Sequence, residues 1–256
     1  MKTLLKDQLL VEIHADRPAL GKAAADAVSE KIKELLKDQD EVNIVFAAAP
    51  SQNEFLAELQ KRDIEWSRVN AFHMDEYVGV NENATQLFGN FLKEKIFNHV
   101  NPRQVFYIKG NGHDHAAECK RYTALLEKYP TDIVLLGIGE NTHVAFNDPH
   151  AAFFDDPETV KLVTLDDKNR NQQVDPSDTS CFPTLDEVPV HAITLTVPAL
   201  FRARYAYAIV PGKNKAPAIR YTITGDISEK FPSTVFRKHP HAVLFIDEDS
   251  ASLLKE

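Results

Sequence analysis

Residues 132–149 read DIVLLGIGENTHVAFNDP, an apolar run that passes directly into a loop containing glycines, a histidine and an aspartate. The run at 132–139 is short and almost wholly apolar, whereas a strand with one face in water alternates apolar and polar residues. Strands buried on both faces are typical of parallel sheets that are covered by helices. The stretch therefore predicts an α/β protein, with polar side chains following the end of one buried strand.

The rest of the chain repeats this pattern of apolar runs separated by helical segments. Further strands are predicted at residues 42–49, 69–75, 104–108, 192–197, 205–211 and 242–247. Apolar residues recur at helical spacing between Leu20 and Leu35 and between Phe88 and Ile96. Strands that alternate with helices predict a mostly parallel, twisted sheet with helices on both faces.

One long segment, residues 150–190, has no clear period, and we interpret it as a loop excursion or a lid. The chain has 256 residues and no low-complexity linker. That length suits one sizeable core, so we expect a single domain spanning residues 1–256.

Composition narrows the classes of partner. The net charge of −9 gives no reason to expect nucleic acid or an anionic membrane, so an anionic ligand would need local capture. Lys6 and Asp7 interrupt the apolar N-terminus, which argues against a signal peptide, and no stretch approaches a membrane span. Two distant cysteines fit reduced thiols, and the expected location is the cytoplasm.

Ligands of open parallel sheets bind beyond the carboxyl ends of the strands. After the first predicted strand, Ser51 is expected to cap a helix that begins near Gln52, leaving backbone N–H groups for an anion. An ordinary helix cap is the alternative for Ser51.

After the second predicted strand, Asp75 and Glu76 stand side by side, so one carboxylate is expected to face a cleft and the other to face away. A solvated acidic turn is the alternative there.

The loop at 137–149 is a poor dinucleotide fingerprint, because Thr142 replaces the third glycine. His143 is the candidate catalytic residue, yet Asn141 stands where a carboxylate that orients the ring is expected. The histidine pairs His113/His115 and His239/His241 lack further ligands at recognisable spacing, so no metal site is predicted.

Three segments carry a family resemblance: FHMDEYVGV (72–80), GIGENTHVAFNDP (137–149) and PGKNKA (211–216). In this order they resemble the signature segments of glucosamine-6-phosphate deaminases. The related 6-phosphogluconolactonases share the glycine-rich strand end and the histidine, but typically carry arginine at the position of Tyr77 and lack the AFN continuation. The resemblance implies a Rossmann-like sheet and conversion of an amino-sugar phosphate to a ketose phosphate and ammonia, without a metal or organic cofactor.

The resemblance also implies residue roles. Asp75 resembles the base that moves a proton between C2 and C1, and His143 the group that opens the pyranose ring. Asn141 and Asp148 take the place of the acidic residues that accompany the histidine. The implied substrate-binding residues are Ser51, Gln52, Asn53, Glu76, Gly139, Arg170 and Lys215, with Lys215 on the phosphate and Glu76 also holding the loop.

Several positions depart from the family pattern. The relay aspartate is Asn141, the next glycine is Thr142, and the later glutamate is Asp148. The phosphate loop reads PSQNE, and Arg170 is the nearest match to the phosphate-binding arginine. The basic and serine residues of the allosteric site in bacterial members have no match at 151–161, so unregulated turnover is expected.

The sequence therefore predicts an isomerising deaminase acting on a hexosamine 6-phosphate, most simply glucosamine 6-phosphate. A galactosamine-6-phosphate isomerase, a 6-phosphogluconolactonase-type hydrolase and a sugar-phosphate-binding module without turnover remain as alternatives. The expected partner is a small sugar phosphate, and a homo-oligomer is left open. Asp148 is predicted to be the principal acidic partner of His143, with Asn141 only positioning the ring, so that Asn141→Asp changes activity modestly.

Overall fold

The computed structural model describes residues 1–254, which form two β-sheets with helices packed around them. In chain order the strands are β1 (Lys2–Lys6), β2 (Leu9–His14), β3 (Val42–Phe46), β4 (Val69–His73), β5 (Asp75–Tyr77), β6 (Gln104–Phe106), β7 (Ile133–Leu136), β8 (Val160–Thr164), β9 (His191–Leu195), β10 (Tyr205–Val210) and β11 (Ala242–Asp247). The α-helices are α1 (Arg17–Leu35), α2 (Asn53–Leu59), α3 (Phe88–Leu92), α4 (His115–Lys128), α5 (Asp167–Gln172), α6 (Val197–Phe201) and α7 (Ala216–Thr224).

The main sheet has eight strands in the order β1-β2-β11-β10-β7-β3-β4-β6. Only the pair β1 and β2 is antiparallel, and the remaining neighbours run parallel. The predicted mostly parallel α/β sheet is therefore confirmed. Because the central strands run the same way, the residues that follow β3, β4, β7 and β10 meet at one edge of the sheet.

Alternate residues of the central strands enter two separate cores. Ile44 and Ile133 pack with α1 and α2, whereas Val45 and Val134 pack with α4 and α7. A strand has a side-chain period of two, so each central strand buries both faces under helices. Burying such a side chain contributes about 1.5–3 kcal/mol, which is why these runs contain so few polar residues.

The second sheet is small and antiparallel, in the order β5-β9-β8. The strand predicted at 192–197 exists as β9 but pairs here, so its expected place in the parallel sheet is wrong. The strand predicted at 69–75 is in fact two strands: β4 ends at His73, and β5 begins at Asp75 opposite Thr194. This break turns the two acidic residues out of the main sheet and over its carboxyl edge.

Other parts of the chain carry more regular structure than the sequence predicted. The N-terminal segment forms the β1–β2 hairpin, which adds to β11. Residues 150–190, interpreted as a loop excursion or lid, contain β8 and the short helix α5. None of the helices within residues 1–254 is both long and apolar enough to cross a membrane.

Candidate active site

A cleft lies at the carboxyl edge of the main sheet, beyond β3, β4, β7 and β10, and encloses roughly 500 Å³ counting its open side. Six residues predicted from the sequence line it: Ser51, Gln52, Asp75, Gly139, His143 and Lys215. The fold therefore assembles, in one cleft, side chains that are as much as 164 positions apart, since Ser51 and Lys215 meet there.

Asp75 and Glu76, the strand-end pair, point in different directions, as expected for neighbours on a strand. Asp75 lines the cleft, is 5% exposed, and its carboxylate has no hydrogen-bond partner within residues 1–254. Burial first, and the charge of Glu76 second, raise the pKa of Asp75 well above its usual value. Asp75 therefore presents to the cleft a carboxyl group that makes no hydrogen bond to the described part of the protein.

The Glu76 carboxylate instead accepts hydrogen bonds from the backbone N–H groups of Tyr77, Phe88 and Gly89. Burial raises the pKa of Glu76 to about 7, although these N–H groups oppose the shift. The side chain ties the loop to the start of α3 and does not reach the cleft. Its loop-holding role fits the geometry, whereas its predicted contact with substrate does not.

Asn141 settles which nitrogen of His143 carries the proton. The Asn141 Nδ2 group donates to carboxylate oxygens of Asp148, at 2.9 Å, and Asp166, at 2.8 Å. Carboxylates only accept, so the amide cannot be turned around. Its Oδ1 therefore faces His143 and lies 2.7 Å from Nδ1, which must be the protonated nitrogen. Nε2 is left as an acceptor that can take a proton.

Asp148 is fully buried among amides, and we call Asn141, Asp148, Asp166 and Asn169 the amide cluster. Its carboxylate accepts from Asn141, Asn169 and the backbone N–H of Asp166. Burial alone would raise the pKa of Asp148, but His143, Asn141 and Asp166 together lower it. Asp148 Oδ1 also lies 3.4 Å from His143 Nδ1, so a negative charge stands beside the ring while Asn141 makes the shorter contact.

Lys215 is 7% exposed and lines the cleft at the start of α7. No carboxylate in the described part of the chain lies within 4.0 Å of its ammonium group. Burial lowers the pKa of Lys215 to about 8, and the more distant Glu140 opposes the shift. An unpaired, buried ammonium is costly unless an anion joins it. An anionic group of a ligand, placed beside Lys215, would offset this cost.

The loop after β3 does not follow the predicted capping scheme. A 3-10 turn, Pro50–Gln52, precedes α2, and Ala49 rather than Ser51 stands at its N-cap without a side-chain hydrogen bond. Gln52 Nε2 donates to Ile209 O and to Ser51 Oγ, each at 3.1 Å. Because Ser51 Oγ accepts from Gln52, its own proton is free for a ligand. Asn53 starts α2 and does not line the cleft.

Arg170 is not part of the cleft. Its guanidinium donates to the carbonyl oxygens of Leu185 and Val188 and borders a different cavity. Gln172 and Gln173, two and three positions further along, line the cleft instead. The assignment of Arg170 to the phosphate is therefore not supported by its position. A prediction of helix α5 from the sequence could have found the two glutamines, because they stand where this helix ends, at the carboxyl edge of the sheet.

Backbone geometry in the loop after β7 is tight. A side-chain carbon at Gly139 would come within 2.1 Å of the His143 ring, so only glycine leaves room for it. Thr142 has φ of 72°, in the left-handed region that a β-branched residue rarely adopts. Its Oγ1 is buried without a partner among the described residues.

A metal ion has little to bind here. Asp148, His150 and Asp166 bring potential ligand atoms within 4.8 Å of one another. However, both carboxylates already accept hydrogen bonds from the amide cluster, and His150 Nε2 lies 2.9 Å from Thr164 O. The two carboxylates therefore hold the side-chain amides of the amide cluster in place, and His150 is engaged elsewhere.

Comparisons with known proteins identify relatives of this chain. A protein-family model described as glucosamine-6-phosphate isomerases/6-phosphogluconolactonase matches residues 15–245. A glucosamine-6-phosphate deaminase of Bacillus cereus is 30% identical over 232 residues, which cover 91% of this chain and 86% of that protein.

Two solved structures superpose on most of this chain. A monomeric glucosamine-6-phosphate deaminase superposes with a TM-score of 0.86 at 27% identity, covering 95% of this chain and 99% of that one. A 6-phosphogluconolactonase from Thermotoga maritima superposes with a TM-score of 0.75 at 20% identity, covering 93% and 99% of the two chains. The lactonase likeness concerns the fold alone.

Proposed function

The chain belongs to the family of glucosamine-6-phosphate isomerases and 6-phosphogluconolactonases, and we propose that it deaminates and isomerises a hexosamine 6-phosphate, preferring glucosamine 6-phosphate. The products are fructose 6-phosphate and ammonia. The relatives named as deaminases support the reaction class, and the contents of the cleft support the chemistry.

The observation that carries the proposal is the carboxyl group of Asp75, which has no hydrogen-bond partner within residues 1–254. A group meant only for structure would be hydrogen-bonded, as Glu76 and Asp148 are. Asp75 is buried, borders the cleft and has a raised pKa, which are the properties of a general base for a weakly acidic C–H bond. A module that only binds a sugar phosphate has no use for this arrangement.

We assign the phosphate to Lys215 and Ser51, which line the same cleft as Asp75. The Lys215 ammonium supplies the positive charge and the Ser51 hydroxyl, polarised by Gln52, supplies a donor. Binding the dianion returns Lys215 to its fully charged form, because an adjacent negative charge raises the pKa of an ammonium group. The remote phosphate then holds C1 and C2 of the sugar against Asp75.

His143 acts first, on the closed ring of the sugar. Its Nε2 removes the proton of the C1 hydroxyl and returns a proton to the ring oxygen as the C1–O5 bond breaks, which gives the open-chain aldehyde. Asn141 keeps the proton of the neutral ring on Nδ1, and Asp148 stabilises the imidazolium that forms in between.

Asp75 acts second, on the open chain. Its carboxylate removes the C2 proton, the electron pair moves through C2–C1 to the aldehyde oxygen, and that oxygen takes a proton from the sugar's own C2 ammonium group, giving a neutral enolamine. The Asp75 carboxyl group then returns the first proton to C1, which leaves a ketiminium at C2 and a hydroxyl at C1. Addition of water and loss of ammonia, together with the ketiminium proton as ammonium, give the C2 ketone, so one water is consumed and one ammonium released.

The test measures ammonia release from glucosamine 6-phosphate and galactosamine 6-phosphate in parallel, together with the reverse reaction of fructose 6-phosphate with ammonium. Hydrolysis of 6-phosphogluconolactone is measured with the same preparation. We expect ammonia from glucosamine 6-phosphate, a lower rate with the C4 epimer, and no lactone hydrolysis above background.

Each other outcome points to a different conclusion. Faster release from the galactosamine sugar would change the substrate and keep the reaction. Lactone hydrolysis without ammonia would overturn the proposal in favour of the hydrolase. Tight binding of all three sugars without turnover would leave a binding module.

A further inference from the structure

His73 is a buried histidine that the proposed reaction does not use, and it stands where β4 ends, just before the strand-end pair. It is 1% exposed, and its ring Nε2 accepts a hydrogen bond from the backbone N–H of Ile108 at 2.8 Å. A backbone N–H only donates, so the proton of the neutral ring is on Nδ1. Burial lowers the pKa of His73 to about 3, the backbone of Asp75 opposes this shift, and Lys93 adds to it. The ring is therefore neutral near pH 7 and does not itself transfer a proton.

Tyr122, in helix α4, ends the sheet at the same residue. β4 pairs with β6 only as far as Phe72 and Phe106, so the backbone groups of His73 extend beyond the last pair of the ladder. The Tyr122 hydroxyl accepts from His73 N at 3.0 Å and lies 2.9 Å from His73 O and 3.0 Å from Phe106 O. One buried hydroxyl thus takes the place of the next strand pair where the chain leaves the sheet.

The segment that follows β6, residues 107–110, lies against the strand that carries the proposed base. A side-chain carbon at Gly110 would collide with the carbonyl oxygen of Tyr77, so the two backbones are in direct contact. Tyr77 is the last residue of β5, two positions from that base. Helix α4 also holds the segment, because Glu118 Oε1 accepts from the backbone N–H of Lys109 at 2.7 Å.

His73, Tyr122 and residues 107–110 are therefore one hydrogen-bonded unit, which we call the edge brace, and it joins α4 to β5. The Asp75 side chain makes no hydrogen bond within residues 1–254, so its direction depends on where the backbone places it. We propose that His73 is a positioning residue, which fixes the break between β4 and β5 through the edge brace and so aims the Asp75 carboxyl group into the cleft. The role of Asp75 as base rests on the proposed function, whereas the link from His73 to the strand break rests on hydrogen bonds within the chain.

The experiment compares the wild type with His73→Phe and His73→Gln. Phenylalanine keeps a ring but cannot accept from the backbone N–H of Ile108, whereas the Oε1 of glutamine can take the place of Nε2. His239→Phe is the matched control, because His239 is another buried histidine, with Nε2 2.8 Å from Ala203 O, and does not line the cleft. Tyr122→Phe removes only the hydroxyl of the edge brace and decides the question if His73→Phe does not fold. Thermal unfolding verifies that each variant is folded.

Two quantities are measured that do not depend on the amount of folded protein. The first is the rate of exchange of the C2 proton per binding site, with the sites counted by calorimetry with glucitol 6-phosphate, an open-chain sugar that cannot be isomerised. The second is the pKa of the Asp75 carboxyl group, followed by carbon-13 NMR and identified by the loss of its signal in Asp75→Asn.

For His73→Phe we expect the exchange rate per binding site to fall about 10- to 100-fold, because a base displaced by about 1 Å loses this much. The affinity for glucitol 6-phosphate should stay within about twofold, since the phosphate contacts are elsewhere in the cleft. The pKa of Asp75 should fall towards its ordinary value, because a carboxyl group that leaves its buried position regains contact with water.

The other variants separate positioning from a general loss of stability. His73→Gln should keep the exchange rate within about threefold of the wild type, because the hydrogen bond to Ile108 is restored. Tyr122→Phe should change both quantities in the same direction as His73→Phe, and His239→Phe should change neither.

An Asp75 pKa that is the same in the wild type, His73→Phe and Tyr122→Phe would overturn the role of His73, and so would an equal shift in His239→Phe. If the wild type releases no ammonia while the pKa of Asp75 still falls in the two edge-brace variants, the deaminase is wrong and the positioning stands. If ammonia is released and the pKa does not change, the positioning is wrong and the deaminase stands.

Discussion

Two buried acidic regions border the same cleft and are treated in opposite ways by their surroundings. In the strand-end pair, Asp75 has no partner in the described structure and its pKa is raised. In the amide cluster, Asp148 accepts three hydrogen bonds besides its contact with His143, and its pKa is lowered. The same kind of side chain is thus left without a hydrogen-bond partner in one place and is held as a hydrogen-bonded charge in the other.

The difference shows where the fold gives up stability. A carboxyl group with a raised pKa costs stability at neutral pH, because the unfolded chain ionises it more easily. One with a lowered pKa contributes stability that is present above its unfolded pKa and lost as pH falls through the folded value. We therefore expect removal of Asp75 and removal of Asp148 to have opposite effects on the free energy of unfolding.

The largest effect on activity is expected for Asp75→Asn, which removes the base. Exchange of the C2 proton with solvent should fall by about 10²–10⁴, while binding of sugar phosphate remains. The free energy of unfolding at pH 7 should rise, by roughly 0.5–2 kcal/mol, since an unpaired buried carboxyl group is replaced by an amide. Deuterium incorporation, calorimetry and denaturant unfolding measure the three quantities.

Asp155→Asn, at an exposed position, is the control for Asp75→Asn. Undiminished exchange would remove Asp75 from the mechanism, and a lower free energy of unfolding would break the contrast between the two regions.

Asp148→Asn should lower ammonia release by about 10², because the imidazolium loses its charge partner and the new NH₂ group faces two others. Stability should fall by about 2–4 kcal/mol as buried donors lose their acceptor. Asp167→Asn, whose side chain is 90% exposed, is the control. Full activity in Asp148→Asn would show that His143 works without this carboxylate.

For Asn141→Asp, the structure predicts a larger effect than the modest one expected from the sequence. The new carboxylate would stand within 2.9 Å of those of Asp148 and Asp166, where Asn141 now donates to both. Like charges at that distance should destabilise the fold by about 1–3 kcal/mol and reduce kcat at least tenfold. Asn171→Asp, on the exposed side of α5, is the control, and a more active Asn141→Asp would instead mark Asn141 as a defect.

Lys215→Ala should raise KM by about 10- to 100-fold with a smaller change in kcat, because the ammonium acts on a group remote from the reacting carbons. The neighbouring exposed Lys213→Ala should leave KM unchanged. Normal affinity in Lys215→Ala would place the phosphate elsewhere in the cleft.

The pH profile of kcat/KM should distinguish the roles proposed for Asp75 and Lys215. It should rise as Asp75 loses its proton, at higher pH than an ordinary carboxyl group, and fall as Lys215 loses its charge near pH 8. In Lys215→Ala the alkaline fall should be absent. A wild-type profile without an alkaline fall near pH 8 would contradict the Lys215 assignment, and an acid limb at the pH of an ordinary carboxyl group would contradict the Asp75 assignment.

The smallest effect is expected for Thr142→Gly, in the loop that leads into the amide cluster. Relief of the left-handed backbone, about 1–2 kcal/mol, is offset by the greater freedom of glycine in the unfolded chain and by lost burial. The free energy of unfolding should stay within about 1 kcal/mol of the wild type and activity within about twofold. A loss above 2 kcal/mol would mean that the threonine itself holds the loop.

Much of the fold was predictable because it depends on neighbours in sequence. The apolar runs of β3, β7, β10 and β11 and the periodic face of α1 each indicate their own structure. Elements with weaker local signals were missed, such as the β1–β2 hairpin and β8. The assignment of β9 to the wrong sheet has the same origin, because an apolar run does not specify its pairing partner.

By itself the sequence determined that the protein is α/β and that Asp75, His143 and Lys215 follow strands whose ends meet, since parallel strands bring these ends to one edge. Only the tertiary structure decided which acidic residue of the strand-end pair faces the cleft, how the Asn141 amide is turned, and that Gln172 and Gln173 rather than Arg170 line the cleft. The reason is physical. A strand or helix is specified by residues a few positions apart, whereas the direction of a side chain depends on its hydrogen-bond partners, and Asp166 lies 25 positions from the Asn141 amide that it orients.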